Sequence, residues 1–277
     1  MINQRNLFRL QANLTKAGKS IPVKTIEKDY ILSWILIGIS KSDLKDILAF
    51  KGGTALKKFY IHRYRFSEDL DFTLLKSFSL SNLKEKFEDI YQILLKDANI
   101  PIRFSRSDEH ENGYTIFLNF SGSLSADISK GSIKIDFTKE ELLQFPIILK
   151  PLLKEYKEYD DIPLNIKLKV YSINEIFVEK ILSIMDKSRN EPRDIYDTWY
   201  LIANKYISDI FLLKPYIEKK FKFKKLSDSS ILKVFDEKEI RYKRLWEVRL
   251  KNQMVELPSF EKVYRELKRE LKEIDLI

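Results

Sequence analysis

Residues 51–73 read KGGTALKKFYIHRYRFSEDLDFT, and this stretch decides the fold. An apolar run, Ile47-Leu48-Ala49-Phe50, leads into it and stops at Gly52-Gly53, which predicts a strand feeding a glycine turn. Thr54 to Tyr60 then reads as a short helix, and Asp69 to Leu75 returns to β-rich sequence. Asp69 and Asp71 are separated only by Leu70. On a strand, residues two apart project from one face, so both carboxylates point the same way. Two such groups held close repel each other unless a cation sits between them. Mg²⁺ suits that role, because it takes oxygen ligands and is held by one or two carboxylates plus substrate phosphates.

A third carboxylate fits the same scheme. Asp136 lies between Ile135 and Phe137, so Lys134, Asp136 and Thr138 share the polar face of a predicted strand. Asp69 and Asp71 bridging two metals, with Asp136 completing one shell, is an arrangement used for in-line phosphoryl displacement. Upstream, Gly52-Gly53-Thr54 would let phosphates approach backbone N–H groups at the start of a helix.

Composition narrows the alternatives. The chain has 277 residues, no cysteine and only two histidines, His62 and His110. Disulfides, thiolate metal sites and cysteine nucleophiles are therefore excluded, and a histidine-rich metal site has almost no material. Hydrophobic residues make up 44%, enough for a packed core rather than a disordered chain. The longest apolar stretch, Ile31 to Ile39, is about half of a membrane span, and the amino terminus lacks a signal-peptide pattern. The expectation is a cytoplasmic protein with no membrane partner.

Pro22 opens a helical pattern that runs to about Ser40. Asn82 and Glu85 have capping-box spacing for a helix with Leu83, Phe87, Ile90 and Leu94 on one face. Tyr114 to Phe120, Ser132 to Thr138 and Asn165 to Val170 read as strands. Ser172 and Glu175 give a second capping-box match, and the remainder is mostly helical in spacing. Residues 1–170 and 171–277 are the expected domains. In the first helix of the second domain, Ile173, Ile176, Phe177 and Ile184 form an apolar stripe on which Lys180 falls. A lysine there is costly unless its ammonium meets an anion. Trp199, Tyr200 and Trp246 read as packing residues.

The combination resembles the nucleotidyltransferase superfamily: a Gly-Gly turn, an Asp-x-Asp strand and a later strand carboxylate. It is similar in particular to the AbiEii/AbiGii-type toxin nucleotidyltransferases, which carry KGGT-x-L followed by R-x-S-x-D-hydrophobic-D. Here those residues are Lys51 to Leu56, then Arg65, Ser67, Asp69 and Asp71. Glu27-Lys28-Asp29-Tyr30 resembles the family's upstream helix, and Arg193-Asp194-x-x-Asp197 its late acidic motif. The resemblance implies an α/β (α+β) fold, a mixed sheet flanked by helices and followed by a mainly helical bundle. It implies that Asp69, Asp71 and Asp136 hold Mg²⁺, and that Gly52, Gly53, Thr54, Ser67, Lys180 and Asp194 contact a nucleoside triphosphate. Lys180 would meet its phosphates between the glycine turn and the second domain, and Asp197 would be needed for activity. It implies, further, a toxin with a cognate antitoxin, and Ser67 as a site of silencing phosphorylation.

Charge points to the acceptor. The net charge is +9, and Leu201 to Lys251 carries 14 Lys/Arg against 7 Asp/Glu. Lys219, Lys220, Lys222, Lys224, Lys225, Arg241, Lys243 and Arg244 are the candidate RNA-binding residues. With the resemblance, this gives transfer of a nucleoside monophosphate to an RNA 3′ end, that of tRNA. A protein-modifying or antibiotic-modifying nucleotidyltransferase, or a nucleotide-binding module without catalysis, stand as alternatives.

Overall fold

The computed structural model describes residues 1–18, 20–226 and 230–275. It divides into two compact units: residues 1–141 with 147–171, and residues 142–146 with 172 onward.

The first unit is built on a seven-stranded mixed sheet. Two helices, α1 (Gln4–Lys16) and α2 (Val23–Lys41), precede β1 (Leu48–Lys51). A one-turn helix, α3 (Gly52–Ala55), continues through a wider turn at Leu56–Tyr60 and leads to β2 (Asp69–Leu74). Then come α4 (Leu80–Ala98), β3 (Ile102–His110), β4 (Gly113–Phe120), β5 (Gly131–Thr138), β6 (Ile147–Pro151) and β7 (Lys167–Tyr171). The strand order is β3-β4-β5-β2-β1-β7-β6, with β2 parallel to β5 and antiparallel to β1. This is the mixed α/β architecture expected from the sequence.

Alternation explains how the sheet sorts its residues. Phe50 pairs with Phe72, and Phe72 with Phe137, so one face carries an aromatic row. Phe87 of α4 meets Phe137 edge to face at 6.0 Å, which fixes the helix on this apolar face. The intervening residues, Asp69, Asp71 and Asp136, necessarily point to the other face. Helix α4 starts three residues earlier than Asn82 predicts, because Ser79 is the cap: its hydroxyl accepts from the Asn82 N–H at 3.1 Å. Leu83, Phe87, Ile90 and Leu94 are buried along it.

The second unit is helical in its described residues. It contains α5 (Ile173–Met185), α6 (Pro192–Ala203), α7 (Lys214–Phe223), α8 (Ile231–Glu237), α9 (Glu239–Leu250) and α10 (Phe260–Leu271). Ser172 caps α5 by accepting from the Glu175 N–H at 3.3 Å. Glu175 does not reach back to complete the box. Its carboxylate accepts from the N–H groups of Gln144 and Phe145, both at 2.9 Å, and thereby fastens residues 142–146 to this unit. Trp246 is buried and donates to the Pro258 carbonyl, while Trp199 donates to Glu266.

Candidate active site

The chemistry-bearing face of the sheet follows from register. Lys51 on β1 pairs with Asp71 on β2, Asp71 with Asp136 on β5, and Asp136 with Thr115 on β4. Register partners share a face, about 4.8 Å apart from strand to strand. Asp69, paired with Lys134, stands one pleat away on the same face. Asp136 is already engaged: Thr115 Oγ1 donates to it at 2.7 Å and Lys134 Nζ at 2.6 Å. Lys51 lies 3.8 Å from Glu141.

The glycine turn is shaped around one of these carboxylates. Gly52 adopts φ +79°, and a Cβ there would fall 2.4 Å from Asp71 Oδ2. The turn and the Asp-x-Asp strand are therefore one unit, and the missing side chain is the space the carboxylate occupies. Gly52→Ala is expected to cost ~1–3 kcal/mol of stability through the positive φ alone. It should also displace Asp71, so chemical denaturation and transfer assays on the same variant should both register the loss.

Thr54 braces the turn against the strand. Its Oγ1 lies 2.6 Å from the Asp69 carbonyl oxygen and 2.7 Å from Ser67 Oγ, and both side chains are buried. Two consecutive lysines that sequence reading passed over support the connection between turn and strand. Lys57 Nζ donates to Glu155 at 2.6 Å and lies 4.3 Å from the Phe66 ring. Burial opposes its charge, but Asp29 and Glu155 hold the ammonium above its ordinary pKa. Lys58 pairs with Asp29 at 2.8 Å and donates to Ser33. Burial pushes Lys58 below its ordinary value. The only available signal was their company with Glu27-Lys28-Asp29-Tyr30, since Glu155 lies almost 100 residues further on.

The carboxylates fit a divalent cation by donor chemistry. Asp69 and Asp71 offer hard oxygen donors on one face, beside a turn with no Cβ. Among the described residues no three His, Asp or Glu side chains converge as a ready-made metal cluster. The expected triad is thus not preassembled, because Asp136 is turned to Thr115 and Lys134. A cation held by two carboxylates and substrate phosphates does not require the third.

In the second unit, Lys180 is buried between two acids, 2.7 Å from Asp194 and 2.8 Å from Asp197. Arg189 Nε also reaches Asp194 at 2.6 Å. Burial alone would raise the Asp194 carboxyl, but Lys180 and Arg189 hold it below the ordinary value. A depressed folded-state pKa stabilises above the unfolded value, near ~4, and the stabilisation fades as pH falls through the folded one. The melting-temperature gap between wild type and Asp194→Asn should therefore narrow below about pH 4. A gap that does not change with pH would contradict the pairing. Lys238, another residue missed from sequence, caps the carboxyl end of α5 by donating to the carbonyls of Ile184, Asp186 and Arg189.

The predicted RNA-binding residues separate. Lys219, Lys222, Lys224 and Lys225 are exposed around the end of α7, and Arg241, Lys243 and Arg244 are exposed on α9, with Lys243 paired to Glu261. Lys220 must be removed from the set. It has no solvent exposure and its ammonium sits 2.6 Å from Glu175 and 2.5 Å from Glu179. An alternation read as a basic patch turns one of its lysines, Lys220, inward.

A glycine turn folded around the second carboxylate of an Asp-x-Asp strand, with a third carboxylate on the neighbouring parallel strand, defines a nucleotidyltransferase. A family model described as the nucleotidyl transferase AbiEii toxin of type IV toxin–antitoxin systems matches residues 34–266. The chain belongs to this family. Its enzymes use a nucleoside triphosphate and a divalent metal, and a toxin of such a system has an antitoxin as counterpart.

Solved structures share the fold. MenT4, a nucleotidyltransferase toxin from Mycobacterium tuberculosis H37Rv, superimposes with a TM-score of 0.60 at 16% identity, over 91% of this chain and 84% of its own. JHP933 from Helicobacter pylori gives 0.57 at 16% identity, over 92% and 93%. No curated protein matches the sequence. Among the described residues no helix is long and apolar enough to cross a membrane.

Proposed function

We propose that this toxin transfers a nucleoside monophosphate from a nucleoside triphosphate to the 3′-hydroxyl of an RNA, that of tRNA, with Mg²⁺ held by Asp69 and Asp71. The observation that carries this reading is the single-faced row Lys51–Asp71–Asp136, with Asp69 beside it and Gly52 wrapped on Asp71. Bound Mg²⁺ would neutralise phosphate charge at the site of displacement.

The chain's own residues supply the rest. Gly52-Gly53-Thr54 offers backbone N–H groups to the phosphates. The acceptor oxygen forms a bond to the α-phosphorus, the bond from that phosphorus to the β-phosphate bridge breaks, and pyrophosphate leaves. Asp136, steadied by Thr115, accepts the hydroxyl proton once Lys134 yields its ion pair. Lys180, Asp194 and Asp197 act as a second required group, with both acids fixing the ammonium. A phosphate on Ser67 would place about −2 charge two residues before Asp69 and break the Thr54 brace, silencing the site.

The test incubates purified protein with each α-labelled nucleoside triphosphate, Mg²⁺, and total RNA or total protein. Label in tRNA that disappears in Asp69→Ala supports the proposal. Label confined to protein overturns the RNA assignment, and nucleotide binding without transfer overturns catalysis.

A further inference from the structure

A second feature of the first unit is not used by the carboxylate row. A cavity of about 460 Å³ lies beyond the end of β4 and the start of β5, lined in part by Lys24 and Lys28 of α2, Phe120, Leu124, Lys130 and Ser132. Its size falls within the range of small-ligand sites, about 300–1,000 Å³. Because β2 runs parallel to β5, this is the end of the sheet at which Asp69 begins β2. Lys28 lies 3.7 Å from Glu68, the residue before Asp69.

The wall of the cavity is built rather than incidental. Lys24 and Lys28 are one turn apart on α2 and share a face. Glu27 also lines the cavity, but its carboxylate is committed to the loop after β4. It accepts from the Leu124 N–H at 2.8 Å and from the Ser123 N–H. A Cβ on Gly122 would stand 2.4 Å from Glu27 Oε1, so a larger residue there would push the carboxylate away from its backbone donors. Lys24, Lys28 and Lys130 outnumber Glu27 in the lining, so the cavity is net basic even with Lys28 paired to Glu68. Phe120 and Leu124 add apolar surface of the kind a base can rest on.

Position decides which ligand this is. The glycine turn flanks β2 on the β1 side, whereas the cavity flanks it on the β5–β4 side. In-line displacement requires the attacking and leaving oxygens on opposite sides of the phosphorus. With the triphosphate on the glycine turn, an acceptor held on the β5 side of β2 would approach the phosphorus from the side away from the leaving group. We propose that the Lys24–Lys28–Lys130 cavity binds the terminal phosphodiesters of the acceptor RNA and aims its 3′-hydroxyl at Asp69 and Asp71. This rests on the reading of RNA as acceptor given above. Glu27 is then a positioning residue that holds the loop forming the far wall.

The test uses the full chain with Lys24 and Lys130 reversed together, K24E/K130E. Both side chains are exposed, so the fold should tolerate the change. Binding of a 5′-fluorescein-labelled single-stranded oligoribonucleotide is followed by anisotropy at several salt concentrations. The reversal should weaken binding about tenfold or more, and lower the slope of log affinity on log salt by about 1.4, two phosphate contacts' worth. It should raise the KM for RNA while the affinity for nucleoside triphosphate stays at the wild-type value, and K24R/K130R should retain RNA binding. Unchanged oligoribonucleotide affinity in K24E/K130E overturns the assignment. So does a parallel loss of nucleotide affinity, which would make the cavity part of the nucleotide site. If wild type labels RNA but the reversal is silent, only the cavity assignment fails. If wild type neither binds nor labels RNA, the acceptor reading fails and the cavity assignment falls with it.

Discussion

Asp71→Asn should lower nucleotidyl transfer about 10³-fold, roughly 4 kcal/mol of lost transition-state stabilisation, while the protein stays folded. The residue is half-buried on the polar face of β2, so its isostere fits the same space beside Gly52. What changes is charge. Asp71 pairs across the sheet with both Lys51 and Asp136, and a neutral amide there removes one of the two anionic donors that Asp69 and Asp71 present together. Binding of nucleotide without metal should change little, whereas kcat should fall. Asp136→Asn tests a different link, because this side chain is anchored by Thr115 and Lys134. If it serves as the proton acceptor, its loss should affect kcat without altering nucleotide affinity. An Asp71→Asn protein with transfer near the wild-type rate would mean that the carboxylate row is only a solvated sheet face.

The second large effect concerns stability. Lys220→Met should destabilise the protein by ~3–5 kcal/mol, because it leaves the buried Glu175 carboxylate without its cation. Methionine nearly preserves the volume, so the loss reports charge rather than a cavity. Lys220 and Glu175 have no solvent exposure, and Glu179 shares the same ammonium. Glu175 also holds the N–H groups of Gln144 and Phe145, so disturbing it should loosen residues 142–146 as well. A fall in melting temperature on the order of 10 °C is expected, with faster amide exchange at Gln144 and Phe145. Lys222→Met, at an exposed position two residues away, should leave the melting temperature within about 1–2 °C of wild type. Equal melting temperatures for the two variants would contradict the buried ion-pair account.

These two predictions mark what spacing could and could not reveal. Asp69, Asp71 and Asp136 were legible because strand alternation is local: an acid flanked by apolar residues must face away from the core. The glycine turn was legible from composition, and the structure adds that Gly52 is glycine because Asp71 fills the place of its side chain. Strands β3 and β6 and helix α1 are elements that local spacing alone does not single out. Ser79 outcompeted Asn82 as a cap, and Glu175 left its box for partners 30 residues upstream.

Charges were the hardest to place. Lys57, Lys58 and Lys220 look like surface lysines in sequence, yet their partners are supplied by distant segments: Glu155, Asp29 and Glu175. A local pattern cannot show an ion pair closed through the tertiary fold. Lys180 differed because its place on an apolar stripe flagged it, and the structure finds it between Asp194 and Asp197. The basic segment from Leu201 to Lys251 therefore mixes exposed cations with one that locks the helices together.

The central claim is that a carboxylate-directed site moves a nucleotidyl group onto an RNA 3′-hydroxyl. It is tested most directly with α-labelled nucleoside triphosphate and two preparations of tRNA, one intact and one oxidised by periodate at its terminal ribose. The account predicts labelled intact tRNA, with one pyrophosphate released per nucleotide added, and no label in the oxidised tRNA or with Asp69→Ala. Equal labelling of oxidised tRNA, or label that enters only protein, would contradict it.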